Sequence, residues 1–316
     1  MQRATATGTG KYEALLERCH SLAPVPTAVA YPCEESALAG SVEAAQHKLI
    51  TPILVGPAAK ITETARSAKV DITGLEVIDI PDAHAAAERA VALIREGRAE
   101  VLMKGSLHTD ELLSAVVSRE KGLRTGRRIS HVFLMDVPTY HKVLLVTDGA
   151  INIAPTLEDK VDICQNAIDL ARTFGVERPK VAVLAAVETV NSKMPATLDA
   201  AALCKMAERG QIRGGLVDGP LAFDNAISRD AAKIKGIVSE VAGDPDILLA
   251  PDLEAGNMVA KQLSFLAKAD SAGLVLGARV PVILTSRADS LRSRIASCAV
   301  AALAAHGRRR SGAPIA

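Results

Sequence analysis

Short apolar runs alternate along the chain with longer amphipathic or Ala-rich stretches. The runs predict strands at "PTAVAYP" (26–32), "TPILVG" (51–56), "LEVIDI" (75–80), "AEVLMKG" (99–105), "HVFLMDV" (131–137) and "KVLLVTD" (142–148). A second set follows at "PKVAVLAA" (179–186), "GGLVDG" (214–219), "DILLAPD" (246–252), "AGLVLGA" (272–278) and "PVILTS" (281–286). Several are almost continuous Val, Ile and Leu, the pattern of strands covered on both faces in a parallel sheet. Helices are predicted between them. One spans 82–97, with an acidic N-cap and a stop at Gly97, and another spans 155–175, where Thr156 and Asp159 have the spacing of a capping box. A third spans 198–210, and the last runs from Asp289 or Ser290 to Gly307. Strands and helices in alternation predict an α/β protein with mostly parallel sheets.

Composition narrows the class. A length of 316 residues suits two domains or one large α/β domain, and 49% hydrophobic residues argue against disorder. The formal charge is +1, aromatics are 2% and Trp is absent, so neither a basic face nor a stacking platform for nucleic acid is expected. The longest apolar run falls short of the roughly 18 residues of a membrane span, and "MQRATATGTG" lacks a signal-peptide core. The five cysteines form no CxxC pair, which points to a reducing compartment without disulfides or zinc. The expectation is a soluble cytoplasmic protein, with the basic "GRRRSGAPIA" as a solvated tail.

In open α/β sheets ligands sit beyond the carboxyl ends of the strands. Five strand ends here are polar: "KGSLHTDE", "TDGAINIAP", "DGPLAFDNAIS", "PDLEAGNMVAK" and "TSRADS". In the first, Lys104, Ser106, His108 and Thr109 place donors around Gly105, while Thr109 or Asp110 could simply cap the helix "ELLSAVV". The second holds Asp148 and Asn152, and the third holds Asp218, Asp224 and Asn225. His131 opens an apolar strand and reads as structural; Cys298 reads as a packed core thiol. Neither GxGxxG nor GxxxxGK[ST] nor GxSxG occurs, which disfavours the usual dinucleotide fold, a P-loop and an α/β-hydrolase elbow. The sharpest local signal is "LTSRADS". A strand end leading through Ser286 and Arg287 to a helix start is a good anion site, since free backbone N–H groups and the helix dipole favour negative charge. A hydrogen bond from Arg287 to a charged group, worth about 1.5–3 kcal/mol, outweighs the dipole's ~0.3–1 kcal/mol.

With "MKGSLHT", "TDGAINIAP", "DGPLAFDNAIS", "KGIVSEVAGDPDILLAPDLEAGNMVAKQL" and "LTSRADS" in this order, the chain resembles the phosphate acetyltransferase/phosphate butyryltransferase family over roughly residues 11–309. It is especially similar to the C-terminal portion of bacterial enoyl-CoA hydratase/phosphate acetyltransferase proteins. The resemblance implies a two-domain isocitrate/isopropylmalate dehydrogenase-like fold with a cleft between domains. Residues 1–147 and 286–316 would form a discontinuous first domain and 148–285 the second, usually in a homodimer. It implies reversible acetyl transfer between CoA and phosphate, with acetyl-CoA as substrate and neither a metal nor a permanently bound cofactor. A butyryl enzyme and a non-catalytic binding protein for CoA or acyl phosphate are the alternatives. On the family's pattern Arg287 would bind the phosphoryl group, Ser286 would assist at the reacting centre, and Lys235 matches a basic residue before "VAG". Asp218, Asp224, Asn257 and Lys261 match polar positions of the later motifs. Ser293 stands where well-studied acetyltransferases carry an Asp proposed as the base, and Leu113 where they carry an Arg that contacts CoA. Asp289 is the substitute candidate for that base.

Overall fold

A computed structural model describes residues 10–285 and 289–311. All eleven predicted strands form. They are β1 (Val25–Ala30), β2 (Ile50–Gly56), β3 (Glu76–Asp79), β4 (Val101–Lys104), β5 (Ser130–Asp136), β6 (Leu144–Thr147), β7 (Lys180–Leu184), β8 (Leu216–Leu221), β9 (Ile247–Leu249), β10 (Asp270–Leu276) and β11 (Val282–Ile283). They make one sheet in the order β3-β2-β1-β4-β11-β10-β5-β6-β9-β7-β8. Pairing is parallel from β3 to β11 and again from β6 to β8. It is antiparallel at β11–β10, β10–β5 and β5–β6. The mostly parallel α/β class therefore holds, but the sheet consists of two parallel blocks of opposite direction joined through β10 and β5.

The described helices are α1 (Lys11–Cys19), α2 (Glu35–Gln46), α3 (Ala58–Ala68), α4 (Ala83–Arg95), α5 (Thr109–Val117), α6 (Leu157–Thr173), α7 (Pro195–Glu208), α8 (Phe223–Ile227), α9 (Arg229–Ile234), α10 (Leu253–Phe265) and α11 (Leu291–Ser311). The predicted caps form. Asp82 accepts from the Ala85 N–H at 2.8 Å at the start of α4. At α6, Thr156 Oγ1 accepts from the Asp159 N–H at 3.2 Å while Asp159 accepts from the Thr156 N–H at 3.1 Å. Two boundaries differ from expectation. His108, rather than Thr109 or Asp110, is the N-cap of α5, and its N–H donates to Glu111 at 2.8 Å. Nor does Gly307 stop α11; the helix continues through the basic segment, where Arg309 Nε donates to Glu100 at 2.7 Å instead of forming a solvated tail. At Gly307 a Cβ would meet Thr173 at 2.8 Å, so the missing side chain serves close packing of α11 on the end of α6.

Ala richness has its reason in α11. From Ile295 to Ala305 every residue is buried, as in a helix that is apolar all round. It packs against α1, α2 and β10. Cys298 in this run is fully buried, and burial pushes its thiol up to about 12, as expected of a core thiol. Among the described residues no helix is long and apolar enough to cross a membrane.

Candidate active site

The end of β4 sets the first wall of the site. The Gly105 N–H donates to Ala30 O at 2.9 Å and the Ser106 N–H donates to Tyr31 O at 2.8 Å, so the chain hugs the end of β1. A Cβ at Gly105 would lie 2.3 Å from Ala30 O and 2.4 Å from Tyr31 O, which leaves room for glycine alone. Ser106 joins the same seam: its hydroxyl donates to Tyr31 O at 2.7 Å and accepts from the Cys33 N–H at 2.9 Å. This clamp delivers Lys104, His108 and Thr109 to a cleft of about 430 Å³. β10 and β5 form its floor through Gly273, Phe133 and His131; Thr285, at the end of β11, and Asp289, before α11, close the far side.

Behind that far side lies a buried cation. Arg294 sits in the first turn of α11, 3% exposed, and donates through Nη1 to Thr285 Oγ1 at 2.9 Å. Burial lowers its pKa, and the Asp289 carboxylate works against that shift. A cation in the first turn opposes the helix dipole, and the Thr285 and Asp289 interactions help to offset that cost. Ser290 caps the helix, accepting from the Ser293 N–H at 3.1 Å. Ser293 is thereby part of a cap.

His131, read from the sequence as structural, is buried in β5 and also borders the cleft. It is 2% exposed, its ring stands edge-on to Phe133 at 4.2 Å between centroids, and it lines the cleft. Nδ1 is buried with no hydrogen-bond partner. Burial pulls its pKa down to about 4, and the carboxylate of Asp148 pulls the other way. A titratable ring within an apolar strand is costly to bury, and that cost is the one sequence signal that marks it.

Asp148 and Asn152 organise the loop after β6. The Asp148 carboxylate accepts from the N–H groups of Ala150 at 2.9 Å, Ile151 at 3.1 Å and Asn152 at 3.2 Å, and from Asn152 Nδ2 at 2.5 Å. Asn152 Oδ1 in turn accepts from Arg128 at 2.7 Å, and Asn257 Nδ2 donates to Gly149 O at 2.9 Å, tying α10 to the loop. These side chains hold backbone; of this loop, Ala150 lines the cleft.

A separate polar cluster lies beyond β7 and β8. Lys235 donates to Glu188 at 2.9 Å and sits 3.4 Å from Asp224. The Lys235 hydrogen bond holds Glu188 below the usual carboxylate range; for Asp224 the Asn225 backbone N–H does most of the lowering. Asn225 is fully buried, donates weakly to Glu188 at 3.3 Å and leaves Oδ1 unpartnered. Glu188 was not singled out by any motif. Asp218 accepts from the Gly219 N–H at 2.9 Å, and Lys261 is exposed on α10. Thus Lys104, His108, Thr109 and Asp289 meet at one cleft, whereas Asp224, Asn225 and Lys235 meet at another place. Ser286 and Arg287 lie outside the described residues.

A family model described as "Phosphate acetyl/butaryl transferase" matches residues 82–302. The chain belongs to this family. It is 62% identical over 299 residues to a phosphate acetyltransferase of Rhizobium meliloti, covering 95% of each chain. It is 42% identical to a phosphate butyryltransferase of Clostridium beijerinckii, covering 93% of this chain and 97% of that one. Among solved structures, a branched-chain phosphotransacylase from Enterococcus faecalis V583 superposes with a TM-score of 0.78 at 30% identity, covering 89% of this chain and 99% of that one.

Proposed function

We infer that this chain is a phosphate acetyltransferase, exchanging an acetyl group reversibly between CoA and inorganic phosphate. The observation that carries this is the 62% identity to the Rhizobium meliloti acetyltransferase across 95% of both chains. Identity to the butyryltransferase is lower, at 42%, so acetyl is the favoured acyl group. The cleft at the ends of β4 and β11 supports the reading chemically: it is lined by the cation Lys104 near a strand-to-helix junction, with Arg294 buried behind Thr285, the setting in which anionic phosphate is bound.

In the forward reaction the CoA thiolate attacks the carbonyl of acetyl phosphate, the new S–C bond forms and the C–O bond to phosphate breaks. Arg287, placed by the family motif in the junction, would hold the phosphoryl group, with Ser286 at the reacting centre. Lys104, His108 and Thr109 would complete the substrate contacts, and Asp289 would face Arg294 across the junction. Preorganised donors of this kind are each worth about 10²–10³ in rate. Asp218, Asp224, Asn225, Lys235, Asn257 and Lys261 are proposed as a second contact region for the longer parts of CoA. We propose a homodimer as well; Phe265 and Leu266 at the end of α10 are each 81% exposed, an apolar surface suited to a second copy.

The test is thiol release from acetyl-CoA and butyryl-CoA, with and without phosphate. Acetyl-CoA is expected to turn over faster, only with phosphate, and Arg287→Ala is expected to lose at least about 10²-fold. CoA binding without any phosphate-dependent thiol release would make the chain a binding protein instead.

A further inference from the structure

We propose that His131 is the proton acceptor for the CoA thiol, the role for which Ser293 offers no carboxylate. The inference rests on the acyltransferase reading above. Its ground is positional. His131 is the one imidazole on the floor of the cleft, set between the β4 end that carries Lys104 and the β6 end that carries Asp148. The Nε2–Cε1 edge of the ring lies against Gly273, which is itself part of the cleft floor. Nδ1, on the other edge, is buried without a partner. A buried imidazole with an unpartnered nitrogen is expensive as mere packing, and this one borders the cleft proposed to hold the substrates.

The step balances within the known reaction. The S–H proton of CoA passes to Nε2 as sulfur attacks the acetyl carbon. The C–O bond breaks, and the proton is then returned to the departing phosphate, which leaves as the hydrogen phosphate ion. Imidazole must be neutral to accept, and burial keeps it neutral at physiological pH. The imidazolium formed is favoured by Asp148 behind the ring and by the phosphate dianion beside it. The charged or titratable groups around it are Asp148 from the β6 loop, Lys104 from β4, His108 at α5 and Asp289 before α11, while β10 faces it with Val275 and Gly273. Ser293, bound into the cap of α11, is no acceptor of comparable strength. Asp289 is the competing acceptor, but its charge interacts with the buried cation of Arg294 at the start of α11.

The pH dependence separates a base from a packing residue. With a working base, the wild-type rate from acetyl phosphate and CoA is expected to be nearly flat between pH 6 and 8. Without one, the rate follows the thiolate, rising about tenfold per pH unit towards the thiol pKa of ~8.5. His131→Gln is expected to lose about 10²–10⁴-fold at pH 7, to acquire that tenfold slope, and to keep the wild-type affinity for CoA and a cooperative melt. His131→Asn is the second variant should the first fold poorly, and the wild-type profile needs no variant at all. A wild-type rate that itself climbs tenfold per unit overturns the proposal, as does a His131→Gln enzyme whose reduced rate stays flat with pH, since that marks packing alone. A wild-type protein with no phosphate-dependent thiol chemistry would overturn the enzymatic reading and this inference with it.

Discussion

Gly105→Ala is the most direct probe of how the backbone builds the site. The added Cβ would stand 2.3 Å from Ala30 O, against the 3.4 Å at which ordinary contact begins. One strand end must therefore move by about 1 Å, and both are backbone, so no flexible side chain can absorb the shift. Overpacking of this kind costs about 1–3 kcal/mol. The larger consequence is catalytic. The same clamp presents Lys104, His108 and Thr109 to the cleft, and a displacement of about 1 Å at a reacting centre costs on the order of 10²-fold in rate. Urea denaturation would measure the stability and a steady-state thiol assay the rate. A variant with wild-type kcat and an unshifted urea midpoint would refute the claim that this close approach positions the first wall of the cleft.

Three further outcomes follow from particular contacts. Burial alone would raise the Asp244 carboxyl, but hydrogen bonds from Lys180 and Lys142 outweigh it and hold it well below the usual range. Its stabilising contribution is therefore complete above the unfolded value of about 3.9 and is lost as pH falls below that; Asp244→Asn should be clearly less stable at pH 7, with the gap closing in acid, and a gap independent of pH would refute this. Thr156→Ala removes the α6 cap and should cost about 1 kcal/mol by urea titration; no change would mean that tertiary packing alone fixes this helix end. Burial pushes Cys19 and Cys33 up to about 11 and Cys164, Cys204 and Cys298 up to about 12, so no thiol should react quickly with a disulfide reagent at pH 8 until the chain is unfolded. A single fast thiol in the native protein would contradict it.

Strands were the legible part of this sequence because burial on both faces leaves an uninterrupted apolar run, as in "KVLLVTD" and β6. Their direction was not legible: the same run serves a strand of either polarity, so the antiparallel pairings of β5 and β10 carry no signature. Helix ends were readable where a side chain does the capping, at Asp82 and Thr156, and misread at Gly307, where glycine answers to a neighbouring helix rather than to the backbone of its own. At the site, polar strand ends announced Lys104, His108 and Asp289. For His131 the sequence shows only a polar residue opening an apolar strand; its place at the cleft comes from the fold. Ser106 and Asp148 look identical in sequence to ligand-binding groups, yet both make hydrogen bonds that hold backbone in place.

The joint between the two parallel blocks depends on the last strands to be synthesised. β4 and β5 are consecutive in the chain but are separated in the sheet by β11 and β10, which come from residues 270–283. Until the ribosome has released that segment, both strands present open edges to the cell and neither half can dock on the other. A chain truncated before Asp270 should thus collect as two unsealed sheets prone to aggregation, and translation pausing or chaperone supply near the end of the message would weigh on yield more than any pause at its beginning.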